Sequence, residues 1–156
     1  MTAMPRIDIG SLPWKGGSGY PAPFDAIVEG RTRKRLGDAG GLGQFGVNLT
    51  RLAPGAASSQ RHWHDNEDEF VFVLSGEVVL VEEGGETVLR AGDAAAFKAG
   101  VANGHHLVNR SGAEARYLEI GTRAGEERAH YPDIDLAYAR DGAGARFTTK
   151  AEAGQK

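Results

Sequence analysis

The chain has 156 residues, a formal net charge of −3 and no cysteine. That length implies one ordinary domain, large enough to bury a core without covalent staples. Disulfides and thiolate metal sites are excluded, and the negative balance argues against a general nucleic-acid binder. The opening MTAMPRIDIGSLPWKGG has no continuous apolar stretch of the secretory kind. No run approaches the roughly 18 apolar residues of a membrane span. A cytoplasmic protein with no nucleic-acid or membrane partner is expected.

Residues 1–40 are rich in Pro and Gly and weakly periodic, which predicts an extended arm with at most one short strand. The arm carries RTRKR (Arg31, Arg33, Lys34, Arg35). Its expected role is a solvated face or a partner for nearby acids, with a phosphate contact as the functional alternative. From Gln44 to Leu52 the pattern alternates: Phe45, Val47, Leu49 and Arg51 share one face, the signature of a half-buried strand. Further strands are predicted through His62 and His64, over Glu69 to Ser75, Glu77 to Glu82, Glu86 to Arg90, Ala94 to Lys98, His105 to Asn109 and Ala115 to Ile120. Glycine-bearing turns separate several of them. Short strands at this spacing define an all-β sandwich or barrel. In the tail, Ile134, Leu136 and Tyr138 alternate and predict one last strand; residues 150–156 are expected to be disordered.

Two of these strands constrain packing. If Glu69 faces inward, so do Val71 and Val73, and Phe70, Phe72 and Leu74 point outward. Val78 to Val81 are apolar on both faces. Strands of this kind are buried on both sides. The outer face therefore needs a cover: the arm, the tail or a second subunit. A homodimer is expected.

The stretch from Gly55 to Gly76 carries the chemistry. His62 and His64 are two residues apart, so on a strand both imidazoles project to one side. The polar insert Asp65 to Asp68 serves as a turn that returns Glu69 beside them. Two imidazoles and a carboxylate are a first set of donors for a divalent metal. A third histidine is expected from another strand, and His105 and His106 are the candidates. Strand parity places His105 with Leu107 and Asn109, and His105 is preferred. Trp63 points away from the histidines and is read as packing, Glu67 and Asp68 as turn acids, either of which can accept from an imidazole N–H. Lys98 is read as a surface residue. If Leu118 and Ile120 face the core, Tyr117 and Glu119 face away from it.

These residues resemble the two motifs of the cupin superfamily. The first reads Gly55, six residues, His62-Trp63-His64, four residues, Glu69, six residues and Gly76. The second reads Gly92, five residues, Lys98-Ala99-Gly100, then His105, three residues and Asn109. Lys98 replaces the usual proline, and the loop before His105 is two residues longer than the pattern; counting strictly from Gly100 lands on Asn103. The resemblance covers residues 43–121. It implies a double-stranded β-helix, a jelly-roll-like antiparallel barrel over residues 43–123. An N-terminal arm (1–42) and a C-terminal extension (124–156) would flank it. It also implies a metal held by His62, His64, Glu69 and His105, and an analogy to small bacterial cupins labelled sugar-phosphate isomerases.

Such a donor set admits Fe, Mn, Ni or Zn and leaves coordination open for a small oxygen-containing ligand. Three activities compete. A metal-dependent isomerase would act on a sugar phosphate or related hydroxy-carbonyl compound, with Arg51, Arg61 and Lys98 as the phosphate candidates and Glu119 as a weak candidate base. An Fe(II) oxygenase would use an apolar lining of Val71, Val73, Phe97 and Leu107. A non-catalytic module would bind or sense a small ligand.

Overall fold

The structure is a computed structural model and describes residues 5–154. The strands in chain order are β1 (Arg31–Arg35), β2 (Phe45–Leu52), β3 (Trp63–His64), β4 (Glu69–Ser75), β5 (Glu77–Glu82), β6 (Gly85–Arg90), β7 (Ala94–Phe97), β8 (His106–Val108), β9 (Ala115–Thr122), β10 (Glu127–His130), β11 (Ala137–Asp141) and β12 (Gly144–Thr148). One short helix, α1 (Leu36–Ala39), separates β1 from β2. No helix among the described residues is long and apolar enough to cross a membrane.

All strand pairs are antiparallel, in three sheets ordered β1-β2-β9-β4-β7, β6-β5-β8 and β12-β11-β10-β3. The all-β cupin architecture is therefore present, but hydrogen bonding does not close it into a barrel. The sheets meet through single bridges, His62 with His105 and Ala57 with Val108. The reason is the irregular run from Ala53 to Arg61, which carries the chain between sheets without a continuous ladder. A core of Leu52, Val71, Val73, Val78, Leu80, Leu89, Leu107 and Tyr117 fills the space between the first two sheets.

Strand β4 behaves as its pattern predicts: Val71 and Val73 are buried, while Phe70 and Leu74 are exposed. The turn after it depends on Gly76. Its φ is +72°, and a Cβ there would lie 2.7 Å from the Glu114 carbonyl oxygen, so no other residue fits without moving backbone.

Strands β2 and β9 reverse the expected sides. Thr50, Leu52 and Tyr117 are fully buried, Asn48 and Glu119 face inward with them, and Phe45 is exposed. The alternation is real, but the inner face is the more polar one because it lines a cavity.

The arm and tail are more ordered than the sequence predicts. RTRKR is not a solvated face: it forms β1 beside β2, and Arg31 and Lys34 are only 6% and 8% exposed. Its role as a partner for acids holds at Arg33, which pairs with Glu119. Trp14 of the arm lies over the cations of Lys34, Arg51 and Arg116, 4.2–5.2 Å from ring centre to charge, and covers that end of the outer face. The tail supplies three strands rather than one. Ala129, Tyr131 and Leu136 form a second core with Tyr20, Phe24, Tyr138 and Phe147. Residues 150–154 are not disordered: Ala153 and Gly154 close a hydrogen-bonded turn onto Thr149 and Ala151. Residues 155 and 156 lie outside the described residues.

Candidate metal centre

The short strand β3 is too small to stand alone; β10 pairs with it, matching Ala129 to His64 and His130 to Trp63. His62 precedes β3 and exchanges both backbone hydrogen bonds with His105. Extended backbone through His62 and His64 sends both rings inward, and Trp63 turns out to stack on His130 with 4.1 Å between ring centres. The loop after β3 is pinned twice: Asp65 accepts from His130, and Asp68 accepts from the Ala99 N–H. That loop returns Glu69, the first residue of β4, to the histidines.

The four residues named from the sequence converge on one oxygen. Oε1 of Glu69 lies 3.0 Å from His105 Nε2, 3.1 Å from His64 Nε2 and 3.4 Å from His62 Nε2. Phe97 stacks flat on the His105 ring at 3.6 Å and fixes its plane. His106 does not reach Glu69; its Nδ1 lies 2.7 Å from the Ser59 carbonyl.

The outer nitrogens define the rings' roles. His62 Nδ1 is 2.8 Å from the Gln60 carbonyl and His105 Nδ1 is 3.0 Å from the Asn103 carbonyl. A carbonyl only accepts, so each Nδ1 carries a hydrogen and Nε2 is the ring atom turned toward Glu69. Asn103 explains the longer loop before His105. Its side chain donates to Glu82 and accepts from the Glu83 N–H, which anchors the insertion to the end of β5 while its carbonyl orients the histidine. His64 Nδ1 instead lies 3.8 Å from both Glu67 and Glu127, so this ring also belongs to a second cluster of potential donors. Glu127 is wholly buried and accepts from the backbone of Asp65, Asn66 and Arg128; Glu67 accepts from Arg140 and the Ala124 N–H.

Charge in the site is strongly coupled. Burial pushes the Glu69 carboxyl up, but hydrogen bonds from His105, His62 and His64 outweigh it and hold the group well below the usual carboxylate range. Burial disfavours charge on His64, yet the Glu69 hydrogen bond and the fields of Glu69, Glu127 and Glu67 raise its pKa.

This donor set fits a divalent cation. Ligands at about 2.1 Å from a metal, set at right angles, lie about 3.0 Å apart, and the Glu69–histidine separations are 3.0–3.4 Å. Three imidazole nitrogens crowd one carboxylate oxygen; without a metal they share protons with it, and a cation would take the place of those protons.

The donors sit on the wall of a cavity of about 320 Å³, whose other walls include Arg31, Arg33, Tyr117, Glu119, Tyr131 and Arg140. Glu119, the weak candidate base of the sequence, faces this space because Leu118 and Ile120 point to the outer side of β9, and it is held by Arg33 and Asn48. Of the expected apolar lining, Val71, Phe97 and Leu107 border the cavity, while Val73 packs in the core. The three basic candidates from the sequence lie elsewhere: Arg51 under Trp14, Arg61 bound to Asp133 and Glu83, and Lys98 exposed beside Phe70 and Ile120. The cavity's cations are Arg31, Arg33 and Arg140. The first two were signalled by their i, i+2 spacing in RTRKR; Arg140 had no local signal.

The fold and the motif residues define a cupin, and the chain belongs to the cupin superfamily. The Cupin domain family matches residues 48–121. A crystal structure of a sugar phosphate isomerase from a cupin superfamily, from Silicibacter pomeroyi, is 50% identical over 94% of both chains with a TM-score of 0.91. A candidate sugar phosphate isomerase from Acidithiobacillus ferrooxidans is 31% identical over 78% of both chains, with a TM-score of 0.73. The polyketide cyclase RemF from Streptomyces resistomycificus shares the fold at 18% identity, covering 90% of this chain and 86% of its own, with a TM-score of 0.64. No curated protein matches the sequence.

Proposed function

We propose that His62, His64, Glu69 and His105 hold a divalent cation and that the adjoining cavity receives a small hydroxy-carbonyl compound for isomerisation. The observation that carries this reading is the convergence of three imidazole nitrogens on one Glu69 oxygen at the wall of a cavity. Sugar phosphates are the substrate class named for the 50%-identical relative, and we extend that class to this chain. Imidazole and carboxylate donors admit Fe, Mn, Ni or Zn. A bound cation would supply Lewis-acid polarisation of the ligand's carbonyl and hydroxyl oxygens.

The chain's own residues supply the rest. Isomerisation moves a proton between adjacent carbons, and Glu119 is the cavity carboxylate with no histidine contact. Arg33 and Asn48 fix its orientation, and one of its oxygens is the proton carrier. Burial pushes the phenols of Tyr20 and Tyr131 up, so both stay protonated. Val71, Phe97 and Leu107 exclude water from the reacting end. Removing the base by Glu119→Gln is expected to lower turnover of a sugar-phosphate substrate about 100-fold or more, with bound metal unchanged. Turnover equal to the parent protein would remove Glu119 from the mechanism.

One observation favours a second reading, ligand capture without catalysis. Besides Glu69, the carboxylates on the cavity wall already have cationic partners: Glu119 has Arg33 and Glu67 has Arg140. In that case metal-loaded protein binds sugar phosphates and returns them unchanged.

A further inference from the structure

We infer that Arg31 is the anchor for an oxyanion group, carboxylate or phosphate, on the compound the cavity receives. The inference deepens the proposed function and rests on its reading of the cavity as the ligand chamber, though not on the bound metal.

The first observation is an uncompensated buried charge. Among the described residues, the cavity's other arginines are neutralised, Arg33 by Glu119 and Arg140 by Glu67. Arg31 is 6% exposed and makes two hydrogen bonds, both to backbone carbonyls, of Ser58 and Gly17. Among the described residues it forms no ion pair to a carboxylate. Burying a guanidinium is costly unless an anion compensates it, and the planar fork has five N–H donors. The two carbonyls leave most of that fork free for the cavity.

The second observation is independent. Tyr117 is fully buried on the same wall, and its hydroxyl makes no aligned hydrogen bond; only the Thr50 hydroxyl, itself unpartnered, stands beside it. A buried hydroxyl left unpaired costs about as much as a lost hydrogen bond. The strand register explains how the two groups come to share a subsite. Arg31 and Arg33 point to one side of β1, Thr50 stands opposite Arg33, and Tyr117 stands opposite Thr50. Tyr117 therefore shares the row of Arg33, and Arg31 lies two residues along on the same face, across β2. An oxyanion on the guanidinium fork would lie on the cavity side of this row, and the Tyr117 hydroxyl, which has no surface open to the cavity, would join it by a shift of its ring.

The test is calorimetric titration of D-glycerate and of glycerol 3-phosphate, with uncharged glycerol as reference, into metal-loaded and chelator-treated protein. The parent protein is expected to bind at least one anion about ten-fold or more tightly than glycerol in both states. Which anion is preferred identifies carboxylate or phosphate. Arg31→Gln should abolish that preference with metal content unchanged, and Arg31→Lys, which keeps charge without the fork, should retain only part of it. Tyr117→Phe should weaken anion binding about three- to ten-fold. Should Arg31→Gln fail to fold for want of its bonds to Gly17 and Ser58, Arg31→Lys and Tyr117→Phe decide. Anion affinity unchanged in the folded Arg31 variants, or no preference for either anion in the parent protein, overturns the inference. So does a preference that vanishes on chelation yet survives Arg31 substitution. Metal content, measured alongside, reports separately on the metal site.

Discussion

Glu69 sets the electrostatics of the site, and its pairing with His64 gives a pH dependence with a definite sign. In metal-free protein the depressed Glu69 pKa contributes stability above the unfolded value near 4.5, lost as pH falls through the lower folded value. The raised His64 pKa contributes stability that is full below the unfolded value of 6.5 and lost as pH rises through the folded value. Metal binding needs neutral His64, so it competes with that same proton. The rise in melting temperature on adding metal to chelated protein should therefore be larger at pH 8 than at pH 6. Equal shifts at both pH values would contradict the pairing. Much of this residue-scale detail was legible in the sequence, because parity along a strand fixes where His62, His64 and Glu69 point. The partners of the outer nitrogens were not. Gln60, Asn103 and Glu127 are set by loop paths and by β10, which no local pattern encodes.

At the scale of elements, polarity and side separate. Phe45, Val47 and Leu49 alternate cleanly, yet they cover the outside, because the inside of β2 carries Asn48 and Thr50 toward a polar cavity. A rule that puts apolar residues inside fails where the interior is a binding chamber. The same rule kept Arg31, Arg33 and Glu119 as secondary candidates, because their charge reads as surface until their strands are paired. The tail was under-read for another reason: β10 to β12 gain their stability from packing Tyr131 and Leu136 against Tyr20 and Phe24, far away in sequence. Leu136 is 2% exposed, so Leu136→Ala should cost about 2–5 kcal/mol in urea unfolding. A cost under about 1 kcal/mol would mean that the tail is a dispensable appendage.

For the whole molecule, the arm covers one end of the large sheet through Trp14 and leaves the other end bare. There Phe45 and Phe70 are 41% and 39% exposed, and Phe70 and Ile120 stand side by side across β4 and β9. Such a contiguous apolar face marks an interaction surface, and we propose that it pairs two copies of the chain. Sedimentation velocity at micromolar concentration should give a dimer, with Phe70→Glu giving a folded monomer. A monomeric parent protein would refute this.

The central claim is that His62, His64, Glu69 and His105 form one metal centre. The direct measurement is elemental analysis of protein purified without a histidine tag, for the parent chain and for the variants His62→Ala, His105→Ala and His106→Ala. The account predicts about one divalent ion per chain in the parent and in His106→Ala, and loss of most of it in the other two. Undiminished metal in His62→Ala, or loss in His106→Ala with retention in His105→Ala, would contradict it.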